Sequence, residues 1–144
     1  VSVQVKESYF WQQVKAGLES DDTHLSRIEN TAGTGISDVT ACHGGVEAWL
    51  ELKVMHGNRL YFRNSQKTWI MKRTGVGGRV LIVARKDDDM IVWEGRAVMM
   101  STHIPGTDSK SFSIHKDELP EPLFQCHKPF KWEGVKRAVF GLPH

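Results

Sequence analysis

The residues best placed to do chemistry lie between positions 38 and 53. Asp38 stands six residues before Gly44, and Glu51 stands six residues after Gly45. A Gly-Gly pair between two stretches of strand character signals a tight hairpin. Antiparallel pairing about that turn sets the two acids opposite one another, or nearly so. Facing carboxylates repel unless a cation lies between them, and hard divalent cations such as Mg²⁺ take oxygen ligands. Lys53 is two residues beyond Glu51, on the same side of an extended strand. There an ammonium group could orient a water or stabilise charge growing on a phosphate. The plainer alternative is an exposed Glu51–Lys53 ion pair, worth under about 1 kcal/mol. What favours chemistry is the combination: a strand aspartate, a tight turn, a matched Glu-Leu-Lys and a basic helix directly afterwards.

The elements that must position these groups follow from hydrophobic periodicity. Residues 7–18, ESYFWQQVKAGL, carry Phe10, Trp11, Val14 and Leu18 on one stripe of a helix. LSRIEN at 25–30 is a short strand candidate, and ISDVTAC at 36–42 reads as a strand that includes Asp38. VEAWLELKV at 46–54 alternates strictly, which predicts a strand with one buried face and one face carrying polar groups. Residues 56–64 read as a loop. SQKTWIMKRT at 65–74 reads as a helix capped by Asn64 or Ser65, with Gln66, Trp69 and Ile70 inward and Lys67, Lys72 and Arg73 outward. The apolar run at 79–84 predicts a central buried strand. Asp87 to Asp89 form a turn, 90–93 a further strand and 97–101 a short helix; the proline-bearing stretch 104–122 reads as loop. A helix, a three-strand meander, a second helix and more strands imply an α/β fold with a mixed sheet flanked by helices.

At 144 residues the chain has one domain's worth of length, with a core at about 7–93 and a C-terminal extension at 94–144. Its 40% hydrophobic and 25% charged content excludes intrinsic disorder and coiled coil. No apolar run is long enough for a transmembrane helix, so no membrane partner is expected. The opening VSVQVKESYF has no basic segment leading into an apolar one, so no secretory signal is expected. Two isolated cysteines, Cys42 and Cys126, fit a cytoplasmic location. The net charge of +2 hides a block from Lys53 to Lys86 that holds nine basic residues and no acid. Such a block fits a phosphate-bearing partner, and equally a set of solvated charges. Gly75 to Gly78 lack the Lys-Ser/Thr of a phosphate loop, and no His-Glu-x-x-His spacing occurs.

The order Gly35-Ile-Ser-Asp38, then Glu51-Leu-Lys53, then Gln66 opening a helix that leads into Gly77-Gly78-Arg-Val-Leu-Ile-Val, resembles the PD-(D/E)XK nuclease superfamily. The likeness is greatest to its VRR-NUC and phage Holliday junction resolvase-like branch. It covers about residues 7–93, the αβββαβ core of the restriction-endonuclease-like fold. Ser37 stands where that family usually has proline. The resemblance implies metal-dependent hydrolysis of DNA phosphodiesters with Mg²⁺ or Mn²⁺. Asp38 and Glu51 would be metal ligands, Lys53 the catalytic lysine, and Gln66 a support for the site. Members often add an acid from the first helix. Glu7, at the angular centre of the apolar stripe, is the first candidate and Glu29 the second; a carboxylate at position 7 also suits the helix dipole with no ligand role. Arg59, Arg63, Lys67, Lys72 and Arg73 are candidates for DNA backbone contacts. Branched DNA such as a four-way junction is the implied substrate. Cutting two opposed strands calls for two active sites, hence a homodimer. A phage origin, and so a host-cell cytoplasm, is implied in the same way. A less structure-selective nuclease acting on flaps, ends or single strands, and a non-catalytic DNA-binding module of the same fold, are the alternatives.

Overall fold

The computed structural model describes residues 6–28, 34–101 and 110–143. Among the described residues four α-helices and eight strands, with a short 3-10 turn at Lys116–Glu118, run in the order α1 (Glu7–Leu18), β1 (Thr23–Arg27), β2 (Val39–His43), β3 (Val46–Val54), β4 (Arg59–Arg63), α2 (Asn64–Gly75), β5 (Val80–Lys86), β6 (Asp89–Glu94), α3 (Gly95–Met100), β7 (Ser111–His115), β8 (Phe124–His127) and α4 (Trp132–Phe140). Six strands form one mixed sheet in the order β1-β2-β3-β5-β6-β8; β4 and β7 form a separate two-stranded ribbon. Among the described residues only the β3–β5 pair is parallel, and α2 lies in the crossover between those two strands.

Alternation along the strands divides the apolar side chains between two layers. On one face Phe10, Val14 and Leu18 of α1 and Val135, Val139 and Phe140 of α4 pack on Leu50, Leu52, Leu81 and Val83. On the other, Ile70 of α2, Val98 and Met99 of α3, and Leu60, Phe62, Phe112 and Ile114 of the ribbon cover Val80, Ile82 and Ala84. β5 contributes to both layers, which is why its sequence is an unbroken apolar run. Gly17 lets the layers close: a Cβ there would lie 2.1 Å from the Trp132 ring, so α4 rests directly on the α1 backbone. Gly44 and Gly45, at φ 53° and 83°, form the two-residue β2–β3 turn that the sequence predicts.

The structure departs from the sequence expectations mainly where partners are distant. The supposed loop 56–64 contains β4, which pairs with β7 from within the stretch read as loop at 104–122. The C-terminal extension continues beyond the loop into β8 and α4. β1 spans Thr23–Arg27 rather than 25–30, β2 begins at Val39 so that Asp38 precedes it in a bend, and α2 begins at Asn64 with Arg63 as its N-cap.

Gly35 fixes the approach to β2. Its φ is +76°, and a Cβ would sit 2.0 Å from the Ser65 carbonyl oxygen, so this stretch runs against the first turn of α2. Gly35→Ala adds both a left-handed strain and a backbone clash. It should lower stability by more than about 1 kcal/mol, read as a fall in Tm of roughly 3 °C or more. A Tm unchanged within 1 °C would show that the segment before Asp38 is not held against α2.

Candidate active site

Register brings the two acids together. Val39 pairs with Leu50, so Asp38, one residue before it, falls opposite Glu51. The Asp38 Oδ2 accepts a hydrogen bond from the Leu52 amide at 3.3 Å, which draws the carboxylate onto β3 between Glu51 and Lys53. Glu51 is 1% exposed, on a sheet face that the alternating pattern marks only as polar. That face is covered here by α2 and the ribbon. A buried carboxylate needs partners, and α2 supplies one.

Gln66 is that partner, and it engages three groups. Its Nε2 donates to Glu51 Oε1 at 2.7 Å. Its Oε1 accepts from the Lys53 ammonium at 3.3 Å and from the Arg63 amide at 2.8 Å. The last of these satisfies a free amide at the start of α2, so one amide side chain caps the helix and fixes the site. Lys53 lies 3.7 Å from Glu51 Oε1, and its ammonium sits 4.8 Å from the centre of the Phe62 ring. Lys53 is thus held by an aromatic face and an amide oxygen, well short of a freely solvated ion pair.

These side chains line a cleft of about 320 Å³ with Glu7, Tyr61, Arg63 and Ser111. Glu7 is exposed, in the first turn of α1 ahead of the contacts that begin at Phe10; the apolar stripe does not bury it. Glu29 lies outside the described residues. Ser37, next to Asp38, is fully buried. Among the described residues no three His, Cys, Asp or Glu side chains converge as a metal cage. A cation here would therefore take Asp38 and Glu51 and complete its shell with water or phosphate oxygens, the habit of Mg²⁺. The donor set fits such an ion: Glu51 Oε2 is buried with no hydrogen-bond partner. Burial, and then the neighbouring Asp38 carboxylate, push the Glu51 carboxyl up to about 8, against the pull of Lys53.

The basic candidates are spread over three settings. Arg59 and Arg63 are exposed on β4, and Arg59 donates to Ser113 Oγ at 3.1 Å. Lys67 is half-buried with its ammonium 5.9 Å from the Phe112 ring, and desolvation lowers its pKa. Lys72 is exposed, and Arg73 lies over the Trp49 and Trp69 rings at 5.2 and 5.6 Å. Arg79 and Arg85, from the same block, serve the fold: Arg79 caps the end of α4 through the Val139 and Ala138 carbonyls, and the buried Arg85 bonds Gln13 and the Asp87 carbonyl. Tyr61 and Ser111 are cleft residues that the sequence reading missed. The alternation in Arg-Leu-Tyr-Phe-Arg was the available signal for Tyr61.

Raised protonation of Glu51 has a sign for stability. The unfolded carboxyl titrates near 4.5 and the folded one near 8. Between those values the folded state holds an extra proton, so stability falls as pH rises, by up to about 1.4 kcal/mol per unit. Melting between pH 5 and 8 should show that loss in the wild type and a flatter profile in Glu51→Gln. Added Mg²⁺ should restore the wild type at pH 8 and leave the variant unmoved; parallel profiles would place Glu51 outside a cation-ready pair.

No family model and no curated protein sequence matches the chain. Among solved structures it is similar to Hjc, a Holliday junction resolvase from the archaeal hyperthermophile Archaeoglobus fulgidus. The TM-score is 0.59 at 16% identity, over 83% of this chain and 91% of that one. The chain has the restriction-endonuclease-like fold of that resolvase.

Proposed function

We propose that this protein is a metal-dependent DNA endonuclease, with branched DNA, and four-way junctions above all, as its substrate. The observation that carries the reading is the convergence of Asp38, Glu51 and Lys53, all held by contacts from β3 and α2, in an open cleft. Pure binding of DNA gives no reason to bury a carboxylate against a second one. The likeness in fold to a junction resolvase supports the same reading.

Asp38 and Glu51 would hold Mg²⁺ or Mn²⁺, which when bound would neutralise the acid pair and draw electron density from a phosphate. Lys53 stabilises negative charge on the phosphoryl oxygens and orients an attacking water. Gln66 keeps Lys53 and Glu51 in register with each other. Arg63, at the cleft wall, is set to grip a neighbouring backbone phosphate. Glu7, exposed on the same cleft, is available to a cation through water. A pair of such sites, as in a homodimer, is what symmetric cutting of a junction requires.

The test is cleavage of a synthetic four-way junction beside linear duplex and flap DNA, in Mg²⁺, in Mn²⁺ and in chelator. Cutting of the junction should need the metal and exceed cutting of the duplex. Lys53→Ala and Asp38→Asn should each lower the rate by about a thousandfold or more, with DNA binding within a few-fold of wild type. Metal-independent cutting, or full activity in either variant, would refute the assignment. Charge reversal at Lys67, Lys72 and Arg73 should weaken binding and flatten its dependence on salt. An unaltered slope would remove that helix from the DNA path.

A further inference from the structure

We propose that the exposed face of the β4–β7 ribbon is a docking surface on which Tyr61 stacks against a DNA base that has left the duplex stack beside the scissile phosphate. The proposal rests on the nuclease reading and deepens it, because it names the feature of the substrate that is selected.

The two faces of the ribbon differ sharply. Leu60, Phe62, Phe112 and Ile114 point into the core, with the Phe62 and Phe112 rings stacked 5.6 Å apart. That packing anchors the inner face of the ribbon to the core. The outer face of β4 presents Arg59, Tyr61 and Arg63, all exposed. Across from Tyr61 lies Ser113, and across from Arg63 lies Ser111. The Arg59 guanidinium reaches across to Ser113 beside the ring, and Tyr61 remains 51% exposed. Its one ring neighbour among the described residues is His56, edge-on at 6.1 Å. Tyr61 and Arg63 line the same cleft as Asp38, Glu51 and Lys53. Asp117 pairs with His115 at 3.4 Å, at the end of the ribbon away from the cleft.

An open aromatic ring flanked on its own strand by two guanidinium groups is the arrangement that holds a nucleotide by base and backbone together. A base inside continuous duplex offers no free face to such a ring. At a branch, flap or gap, an unstacked base does, and stacking is sequence-tolerant because every base has a π-face. The ribbon thereby favours DNA with an unstacked nucleotide at the cut site.

Binding read without cutting tests this. Wild type, Tyr61→Ala and Tyr61→Phe are titrated in chelator against a four-way junction and a linear duplex, with 2-aminopurine at the branch point or at the matching duplex position. Tyr61→Ala should lose about tenfold in affinity for the junction, little for the duplex, and the 2-aminopurine signal change. Tyr61→Phe should keep all three. Equal losses on both DNAs, no loss on either, or failure to bind any DNA would overturn the ribbon's role. If the protein discriminates through Tyr61 yet cuts nothing in Mg²⁺ or Mn²⁺, the docking surface stands and the nuclease reading falls.

Discussion

The constraint on which the structure turns is the burial of one carboxylate directly opposite another. Glu51 lies on the central strand with almost no exposure, across the ladder from Asp38. Nothing in protein packing favours that pairing by itself, since each charge raises the cost of the other. The surroundings are arranged to hold it. The Leu52 amide takes Asp38, Gln66 takes Glu51, and Lys53 is placed beside Glu51 on the Phe62 ring. Gln66 is the hinge of this arrangement, because it also starts α2. A helix cap and a site contact are thus one side chain, and the helix cannot shift without moving Glu51 and Lys53.

Much of this was legible in the sequence. The Gly44-Gly45 turn and the alternation from Val46 to Val54 were enough to place Asp38 across from Glu51, because a two-residue hairpin leaves no freedom in register. The inward position of Gln66 followed from helical spacing, and its side chain meets Glu51 and Lys53 of β3 and the Arg63 amide at the start of α2. What was not legible depends on pairing at long range. β4 and β7 are five residues each, about fifty positions apart, and neither alternation is long enough to stand out from a loop. β8 is four residues long and borders β6, so it too becomes a strand only in context. The polar face of β3 misled in a different way. Alternation distinguishes two faces but does not say which is covered, and here both are.

The basic block shows the same division between composition and place. Read as charge alone it is a single feature. In the fold its members part: Arg79 is consumed by the end of α4 and Arg85 by the core, Arg73 lies exposed over two tryptophans, and Arg63 lines the cleft while Arg59 sits farther along β4. Charge runs in a sequence thus set an upper bound on the cations free for a partner, and the bonds each one makes decide the rest.

One wall of the cleft is built from β4 and its partner β7, which the chain supplies only at residues 111–115. During synthesis the acids, the lysine and the glutamine all leave the ribosome well before that strand does. Domains tend to consolidate as units once their distant pieces are available, and a high share of non-local pairing slows that step. A half-made chain therefore carries these four side chains without the wall that closes their cleft. The cleft is completed late and all at once, when its most distant strand finds its partner.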